Sequence, residues 1–213
     1  MTQPTLGEEL RRQFGDIDIY VFDQILRGRF DRRRRVLDAG CGDGRNLIFL
    51  LQHGFDCHGV DSSPEAIEVV QRAAARLAPN LPAENFVVAD VDHLPYPDHD
   101  MQAVICSAVL HFAEDEPHFH TMVDEMWRVL EPEGLLFARL ASNIGLESVV
   151  GPAGRQARLP DGTDRFLVDE AMLLRETKRL GGQLADPIKT TNVQGQRCMT
   201  TWCVIKDARV GSM

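Results

Sequence analysis

The sequence predicts an α/β protein built on a doubly wound sheet. Short apolar runs that end in an acid alternate along the chain with stretches whose apolar residues recur at helical spacing. The first apolar run, Val36-Leu37, ends at Asp38 and leads into a loop with glycine at every second place, and a helical pattern follows directly. A strand, a tight turn and a helix in this order are typical of the first unit of such a sheet.

The stretch 5–30 carries a helical pattern before the first strand. Asp16 is a candidate cap for an apolar helix face that Gly28 closes. Because this stretch precedes the sheet, we expect residues 1–34 to form a helical cover over the binding crevice; packing against the side of the domain is the alternative. Residues 35–213 are then the main body of a single compact domain.

The later elements follow in alternation. The second strand closes at Asp61, and Ser63 with Pro64 supplies the cap and first turn of the next helix. The fourth strand, 103–106, is nearly all apolar, as expected of a strand buried on both faces. The remaining predicted elements are strands at 85–89 and 135–140, helices at 116–130 and 168–180, and a hairpin of strands near 183–192 and 197–206. Between 141 and 165 glycine and proline replace any periodicity, which predicts a long loop.

Size and composition are typical of a soluble globular domain. The chain has 213 residues, of which 44% are hydrophobic and 26% charged, so it has room for one α/β domain with a full core. No apolar run approaches the roughly 20 residues of a membrane span, and the first residues do not resemble a signal peptide. Five cysteines without tight clustering are typical of reduced thiols. We therefore expect a cytoplasmic protein without a membrane partner.

The charge of the chain argues against a nucleic-acid partner. The formal net charge is −9, and phosphates would be repelled. The basic run 32–35 is short, and we expect it to be a solvated entry to the first strand. A small molecule is therefore the expected substrate.

The glycine-rich loop at 40–44 is the candidate ligand site. Its spacing departs from the dinucleotide pattern G-x-G-x-x-G, because Arg45 stands in the place of the last glycine. Asp38 and Asp43 flank the loop and would repel a pyrophosphate. S-adenosylmethionine (SAM) instead carries a sulfonium and an ammonium, which suit these acids, and one carboxylate, which suits a helix N-terminus. The alternatives are an NAD(P)-dependent oxidoreductase and an ordinary strand–helix turn without a ligand.

Two further positions are candidate functional residues. Asp61 follows the glycine loop by about 20 residues, where an acid at a strand tip accepts hydrogen bonds from ribose hydroxyls. His111 follows the fourth strand on the crevice side, which makes it the best-placed general base, with a structural histidine as the alternative. His118 and His120 point to different helix faces, and the chain has no C-x-x-C pair, so we expect no metal site.

Four segments, in order, resemble motifs of the class I SAM-dependent methyltransferases. They are VLDAGCGDG at 36–44, GVDSSP at 59–64, ADVDHLPY at 89–96 and WRVLEPEG at 127–134. In the last of these, Glu133 stands where the family commonly has glycine. The resemblance extends from about Val36 to Lys206, and Gly44-Arg45-Asn46 in a short chain is similar to small members of the tellurite-resistance type.

The resemblance implies a Rossmann-like sheet of seven strands, mostly parallel with an antiparallel last strand, and SAM as cofactor. It implies cofactor contacts by residues of the first motif, by the second-strand acid and its neighbour, by the third-strand segment and by a serine after strand four: Asp38, Gly40, Cys41, Gly42, Asp61, Ser62, Asp90, Val91 and Ser107. The implied reaction is in-line methyl transfer to an O, N, S or C atom of a small molecule. A SAM-binding regulator without catalysis is an alternative, and we expect a monomer or homodimer.

Overall fold

The structure is a computed structural model that describes residues 3–208. Its helices are α1 (Leu6–Phe14), α2 (Ile19–Leu26), α3 (Ile48–Gln52), α4 (Pro64–Leu77), α5 (Glu116–Val129), α6 (Glu147–Val150) and α7 (Glu170–Arg179). Its strands are β1 (Arg35–Ala39), β2 (Asp56–Asp61), β3 (Phe86–Val88), β4 (Met101–Ser107), β5 (Leu130–Ser142), β6 (Arg155–Arg158), β7 (Asp164–Leu167), β8 (Gly182–Leu184), β9 (Lys189–Val193) and β10 (Arg197–Lys206). Short 3₁₀ turns lie at Ala83–Asn85 and Leu110–Phe112.

The main sheet confirms the predicted fold class. Its order is β3-β2-β1-β4-β5-β10-β8, with β9 also paired to β10, and β1 to β5 run parallel to one another. Strand β10 enters antiparallel to β5. The predicted count of seven strands is wrong, since this sheet has eight. The stretch 183–192 divides around Pro187, which has no N–H to donate to a ladder, and its two parts pair with different ends of β10.

The strand order places a crevice beside β1. Strand β2 pairs with one side of β1 and β4 pairs with the other side, so the order of successive strands in the sheet reverses at β1. Ligands bind open α/β sheets at such a point, outside the carboxyl ends of the strands. In this protein those ends are at Ala39, Asp61 and Ser107, and they meet at one edge of the sheet.

Helices cover both faces of the sheet because alternate strand residues point to opposite sides. Val36 packs in one core cluster with Leu50 of α3 and Val70 of α4. Leu37 packs in the other cluster, which includes Phe119 of α5 and residues of α7. All five cysteines are free and buried. Among residues 3–208, no helix has the length and apolar character needed to span a bilayer.

The N-terminal segment differs from the single helix predicted over 5–30. Helix α1 ends at Phe14 and is capped by Gly15, whose φ of 64° suits glycine, and α2 begins at Ile19. Asp18 caps α2, accepting a hydrogen bond from the Tyr20 N–H at 2.9 Å. The assignment of the cap to Asp16 is therefore wrong. The chain needs a few residues to turn after Gly15, which moves the cap position beyond Asp16.

The stretch 141–165 is more ordered than predicted. Strand β5 continues to Ser142, α6 follows, and β6 pairs with β7 in a separate antiparallel hairpin. Ala157 and Phe166 are buried, so the hairpin has an inward face. Its turn contains Asp161-Gly162, in which Gly162 has a φ of 84°.

Candidate functional site

The glycine-rich loop is held against β2 by its backbone. The N–H groups of Gly40 and Cys41 both donate to the Val60 carbonyl at 2.8 Å. Gly40 has a φ of 77°, and a Cβ built on it would lie 2.3 Å from Val109. Glycine is required here because the position combines a left-handed backbone with no room for a side chain.

Asp61 ties the loop to the start of α4. One carboxylate oxygen accepts a hydrogen bond from the Gly42 N–H at 2.9 Å, and the other accepts one from the Ser63 N–H at 3.0 Å. Strand β2 delivers the residue to the carboxyl edge of the sheet, where its side chain is partly exposed. The carboxylate is thus fixed in orientation while it still faces the crevice.

A cavity of about 500 Å³ opens in front of Asp61. Five of the predicted cofactor residues line it: Gly40, Asp61, Ser62, Asp90 and Val91. Of the other lining residues, Ala89 and Asp92 belong to the motif at 89–96 and His118 was considered only as a metal ligand, whereas no sequence signal singled out Val109, Phe112 or Met122. Three carboxylates in the lining, those of Asp61, Asp90 and Asp92, favour a ligand that brings cationic or hydroxyl groups. We call this space the first cavity.

Asp38 lies behind the loop and is 1% exposed. Neither carboxylate oxygen has a hydrogen-bond partner among the described residues. Burial raises the pKa of Asp38 to about 7, and the nearby Asn46 and Arg45 side chains oppose the rise. A buried carboxylate without partners is costly, and a cationic ligand would compensate its charge.

A buried network joins the N-terminal segment to the end of β4. The Asp18 carboxylate accepts a hydrogen bond from the Ser107 hydroxyl at 3.0 Å. Guanidinium nitrogens of Arg139 and Arg45 lie 3.4 Å and 3.8 Å from the same carboxylate. The Asp18 N–H also donates to the Asn46 side chain at 3.1 Å. This network fixes the start of α2 directly beside the glycine-rich loop.

A second cavity, of about 360 Å³, adjoins the first. Phe112 lines both cavities, and His111 lines only the second. His111 is 5% exposed and its Nδ1 has no hydrogen-bond partner among the described residues. Burial, followed by the nearby positive charges of Arg165 and Arg139, lowers the pKa of His111 to about 4. His111 is therefore neutral at pH 7.

The structure brings the predicted cofactor residues to one edge but separates them into three places, while His111 lies in the second cavity. Five line the first cavity, as described above. Cys41 and Gly42 lie in the loop beside it, with the Cys41 side chain buried and its thiol 3.6 Å from the Gly42 carbonyl. Asp38 and Ser107 lie beneath the surface. Sequence reasoning did not identify Asp18 as a site residue, because a cap residue carries no sign of a distant contact.

The histidines on α5 have separate partners. His118 Nε2 lies 3.6 Å from the Asp92 carboxylate, and His120 Nε2 lies 3.0 Å from Glu176. Within residues 3–208, no group of three or more histidine, cysteine or acidic side chains is arranged to hold a metal ion.

Comparisons with known proteins agree with this geometry. Residues 36–134 match the model of a family described as a methyltransferase domain. The chain is 32% identical over 183 residues to a malonyl-[acyl-carrier protein] O-methyltransferase of Halorhodospira halophila. That alignment covers 72% of this chain but 60% of the relative, and other curated relatives are covered to less than half of their length.

Solved structures show the same fold. A SAM-dependent methyltransferase of Methanosarcina mazei superposes with a TM-score of 0.67 and 19% identity, covering 86% of this chain and 97% of the other. The 1,6-didemethyltoxoflavin-N1-methyltransferase of Burkholderia thailandensis was solved with 1,6-didemethyltoxoflavin and S-adenosylhomocysteine. It superposes with a TM-score of 0.67 and 18% identity, covering 94% of this chain and 82% of the other. The matched domain at 36–134 and the named relatives support a class I SAM-dependent methyltransferase, and the solved structures show that the chain has the fold of such enzymes.

Proposed function

We propose that the chain binds SAM in the first cavity and transfers its methyl group to a small-molecule acceptor in the second. The observation that carries this proposal is the fixed carboxylate of Asp61, which faces a cavity of about 500 Å³ beside a glycine-rich loop. An acid at the tip of the second strand is suited to ribose hydroxyls. The unpartnered carboxylate of Asp38 fits the cationic methionine end of the same ligand.

The residues of the chain would act mainly by positioning. When bound, SAM supplies a methyl group made electrophilic by its sulfonium. The loop from Gly40 to Gly42 and the Asp38 carboxylate would hold the methionine moiety, and Asp90 with the Val91 N–H would hold the adenine. Phe112, shared by both cavities, would separate the donor from the acceptor. Alignment of two reactants in this way contributes roughly 7–11 kcal/mol to lowering a barrier.

The relatives support a small-molecule or carrier-bound acceptor. Their names include a malonyl-[acyl-carrier protein] O-methyltransferase and a 1,6-didemethyltoxoflavin-N1-methyltransferase. The net charge of −9 disfavours nucleic acid as acceptor. Five free, buried thiols support a reducing, cytoplasmic location.

Calorimetric titration tests the proposal against its alternatives. We expect saturable binding of SAM and of S-adenosylhomocysteine, and no binding of NAD, because three carboxylates line the first cavity. Binding of NAD in place of SAM would instead support the oxidoreductase. Binding of SAM without turnover of any acceptor would support the regulatory alternative.

Asp61→Ala is expected to weaken SAM binding. The change removes an ionised hydrogen-bond acceptor and also frees the N–H groups of Gly42 and Ser63, so we expect a loss of about 1.5–3 kcal/mol in binding free energy. Titration of the folded variant measures it. Asp56→Ala, at the opposite end of β2, is the matched control and should bind SAM like the wild type. Equal affinity in Asp61→Ala and wild type would show that this carboxylate does not bind the cofactor.

We further propose that the stretch 141–165 and the N-terminal segment predicted over 1–34, of which residues 1 and 2 lie outside the described residues, cover the crevice. Asp18 joins α2 to Ser107 and Asn46 beside the loop. When the cofactor orders the loop, we therefore expect the N-terminal segment to become less mobile as well. In hydrogen exchange, we expect peptides from 10–28 and 141–165 to gain protection when S-adenosylhomocysteine and an acceptor are present, while 72–80 at the far end of α4 stays unchanged. Protection confined to the glycine-rich loop would contradict the cover.

A further inference from the structure

The second cavity is positively charged in a protein of net charge −9. Three arginines line it, Arg139, Arg165 and Arg197, against a single carboxylate, Asp161. The first cavity has the opposite character, since its charged lining is three aspartates and one histidine. Two adjoining cavities thus differ in the sign of their charge. The acidic one fits a sulfonium, and the basic one fits an anion.

Arg165 is the least compensated of the three arginines. Arg139 lies 3.4 Å from the Asp18 carboxylate and Arg197 lies 3.6 Å from Asp161. Among the described residues, no carboxylate oxygen lies within 4 Å of the Arg165 guanidinium, which donates instead to the Asp164 backbone carbonyl at 2.7 Å. A fixed cation therefore remains available to a ligand.

The position of Arg165 places that charge at the boundary between the cavities. Its guanidinium carbon lies 4.9 Å from the centre of the Phe112 ring, and this ring lines both cavities. Stacking on the aromatic face restrains the long side chain, which leaves the edge of the guanidinium free to bind. An anion held by Arg165 would therefore lie close to the bound methyl donor.

The bases that line the second cavity are weak. Burial and two neighbouring arginines depress the pKa of His111, as described above, and hydrogen bonds from Thr163 lower the pKa of the Asp161 carboxyl. Neither group is suited to take a proton from an alcohol, an amine or a thiol at neutral pH. A nucleophile that carries no proton at pH 7 fits this environment.

We propose that the second cavity binds the acceptor by a carboxylate, with Arg165 as its main partner, and that a carboxylate oxygen is the atom methylated; this rests on the function proposed above. A lone pair of that oxygen forms the bond to the methyl carbon while the carbon–sulfur bond breaks and its electron pair goes to sulfur. The products are a methyl ester and a neutral thioether, and no proton has to be removed. Arginine is suited to the role because its planar fork matches a carboxylate.

Binding to the protein loaded with S-adenosylhomocysteine tests the anion site. Phenylacetate, phenylacetamide and phenyl phosphate are titrated separately. We expect phenylacetate to bind about tenfold or more tightly than the amide, the ratio that a charged hydrogen-bonded pair supplies. Arg165→Gln should abolish this preference. Arg158→Gln is the matched control on the same hairpin, because Arg158 pairs with Asp164 outside the cavity, and it should keep the preference.

The opposite results overturn the inference. These are equal or absent binding of the acid and the amide, an unchanged preference in Arg165→Gln, or tighter binding of phenyl phosphate than of phenylacetate. Transfer is measured with methyl-labelled SAM and phenylacetate, hexanoate and benzoate as acceptors. Label that is released as methanol by mild base identifies a methyl ester and supports the assignment, and a base-stable product or no ester from any of the three overturns it. If the protein binds no S-adenosylhomocysteine, the proposed function itself is wrong. If it binds S-adenosylhomocysteine but does not select carboxylates, only this inference is wrong.

Discussion

Asp38→Asn is expected to lose most of its affinity for SAM while becoming more stable than the wild type above pH 7. The two side chains have nearly the same shape, so the change removes the charge and little else. The wild-type carboxylate is fully buried without a hydrogen-bond partner among residues 3–208, which makes its ionised form costly until a cation arrives. The free-energy cost of the unpaired, buried charge is therefore relieved when the cation of SAM binds, and this relief strengthens the binding.

The pH dependence of this effect has a definite sign. The pKa of Asp38 is about 7 in the folded protein and near 3.8 in the unfolded chain, so between these values only the unfolded state is ionised. The contribution of Asp38 to stability therefore falls as pH rises from about 4 to 7. Affinity for SAM should instead increase as pH rises toward 7, because only the ionised Asp38 attracts the cation. Below pH 7 the affinity should weaken by roughly tenfold for each pH unit.

Urea unfolding and calorimetric titration at pH 5 and pH 8 measure both effects. The stability advantage of Asp38→Asn should be larger at pH 8 than at pH 5. Asp43→Asn is the control, because the structure shows that Asp43, unlike the expectation for an acid flanking the loop, is exposed to solvent and does not line the first cavity, so neither quantity should change by much. Wild-type SAM affinity in Asp38→Asn would show that the buried charge has no part in binding.

Gly40→Ala is expected to destabilise the protein and to abolish SAM binding. The new Cβ would lie 2.3 Å from Val109 in a backbone with a φ of 77°. The left-handed conformation costs an L-residue about 1–2 kcal/mol, and overpacking adds about 1–3 kcal/mol. The overlap is relieved when the Val109 side chain shifts or when the loop moves away from Val60, to which its N–H groups donate.

Three further variants separate the clash from the backbone strain. Val109→Ala in the Gly40→Ala background removes the overlapping methyl groups and should recover part of the stability, with Val109→Ala alone as reference. Gly42→Ala should cost less than Gly40→Ala, because no atom lies within 4 Å of a Cβ built there and only the φ of 53° opposes it. Unfolding midpoints measure all four proteins. Equal stability of Gly40→Ala and Gly42→Ala would contradict the packing argument.

The elements of the sheet could be predicted because their signals are local. Buried parallel strands are short apolar runs, and the acids that follow them, such as Asp61 and Asp90, must reach the carboxyl edge wherever the neighbouring strands lie. Five of the predicted cofactor residues accordingly line one cavity. The motif at 36–44 was specific because few loops need glycine at every second position.

The second cavity could not be predicted because its residues come from distant elements. Arg139 lies on β5, Arg165 on β7 and Arg197 on β10, and none of them stands in a pattern that a ligand would require. They meet only because β10 pairs with β5 and the β6–β7 hairpin packs beside the end of the sheet. The Asp161-Gly162 pair did carry a turn signal, but the surrounding glycines and prolines concealed the two strands.

Glu133 is a departure from the family pattern whose place in the turn the structure defines. The family commonly has glycine here, and Glu133 has a φ of 63°, which glycine adopts without strain. The residue is exposed, and its carbonyl accepts a hydrogen bond from Arg33 at 2.5 Å. The turn between α5 and the paired part of β5 thus keeps its shape with an unfavourable residue, far from the cavities.

The burial of every cysteine has a consequence if the protein binds SAM as proposed, because SAM is an alkylating agent. A sulfonium methyl reacts with soft nucleophiles, and a thiolate is the softest that a protein offers. Cys41 lies on the cofactor loop itself, yet burial raises the pKa of its thiol well above the usual range. Burial likewise raises the pKa of Cys57, Cys106 and Cys203 well above the usual range, and it also raises the pKa of Cys198. Among the described residues, the chain therefore presents no exposed thiolate to the proposed methyl donor, which would protect it from self-methylation.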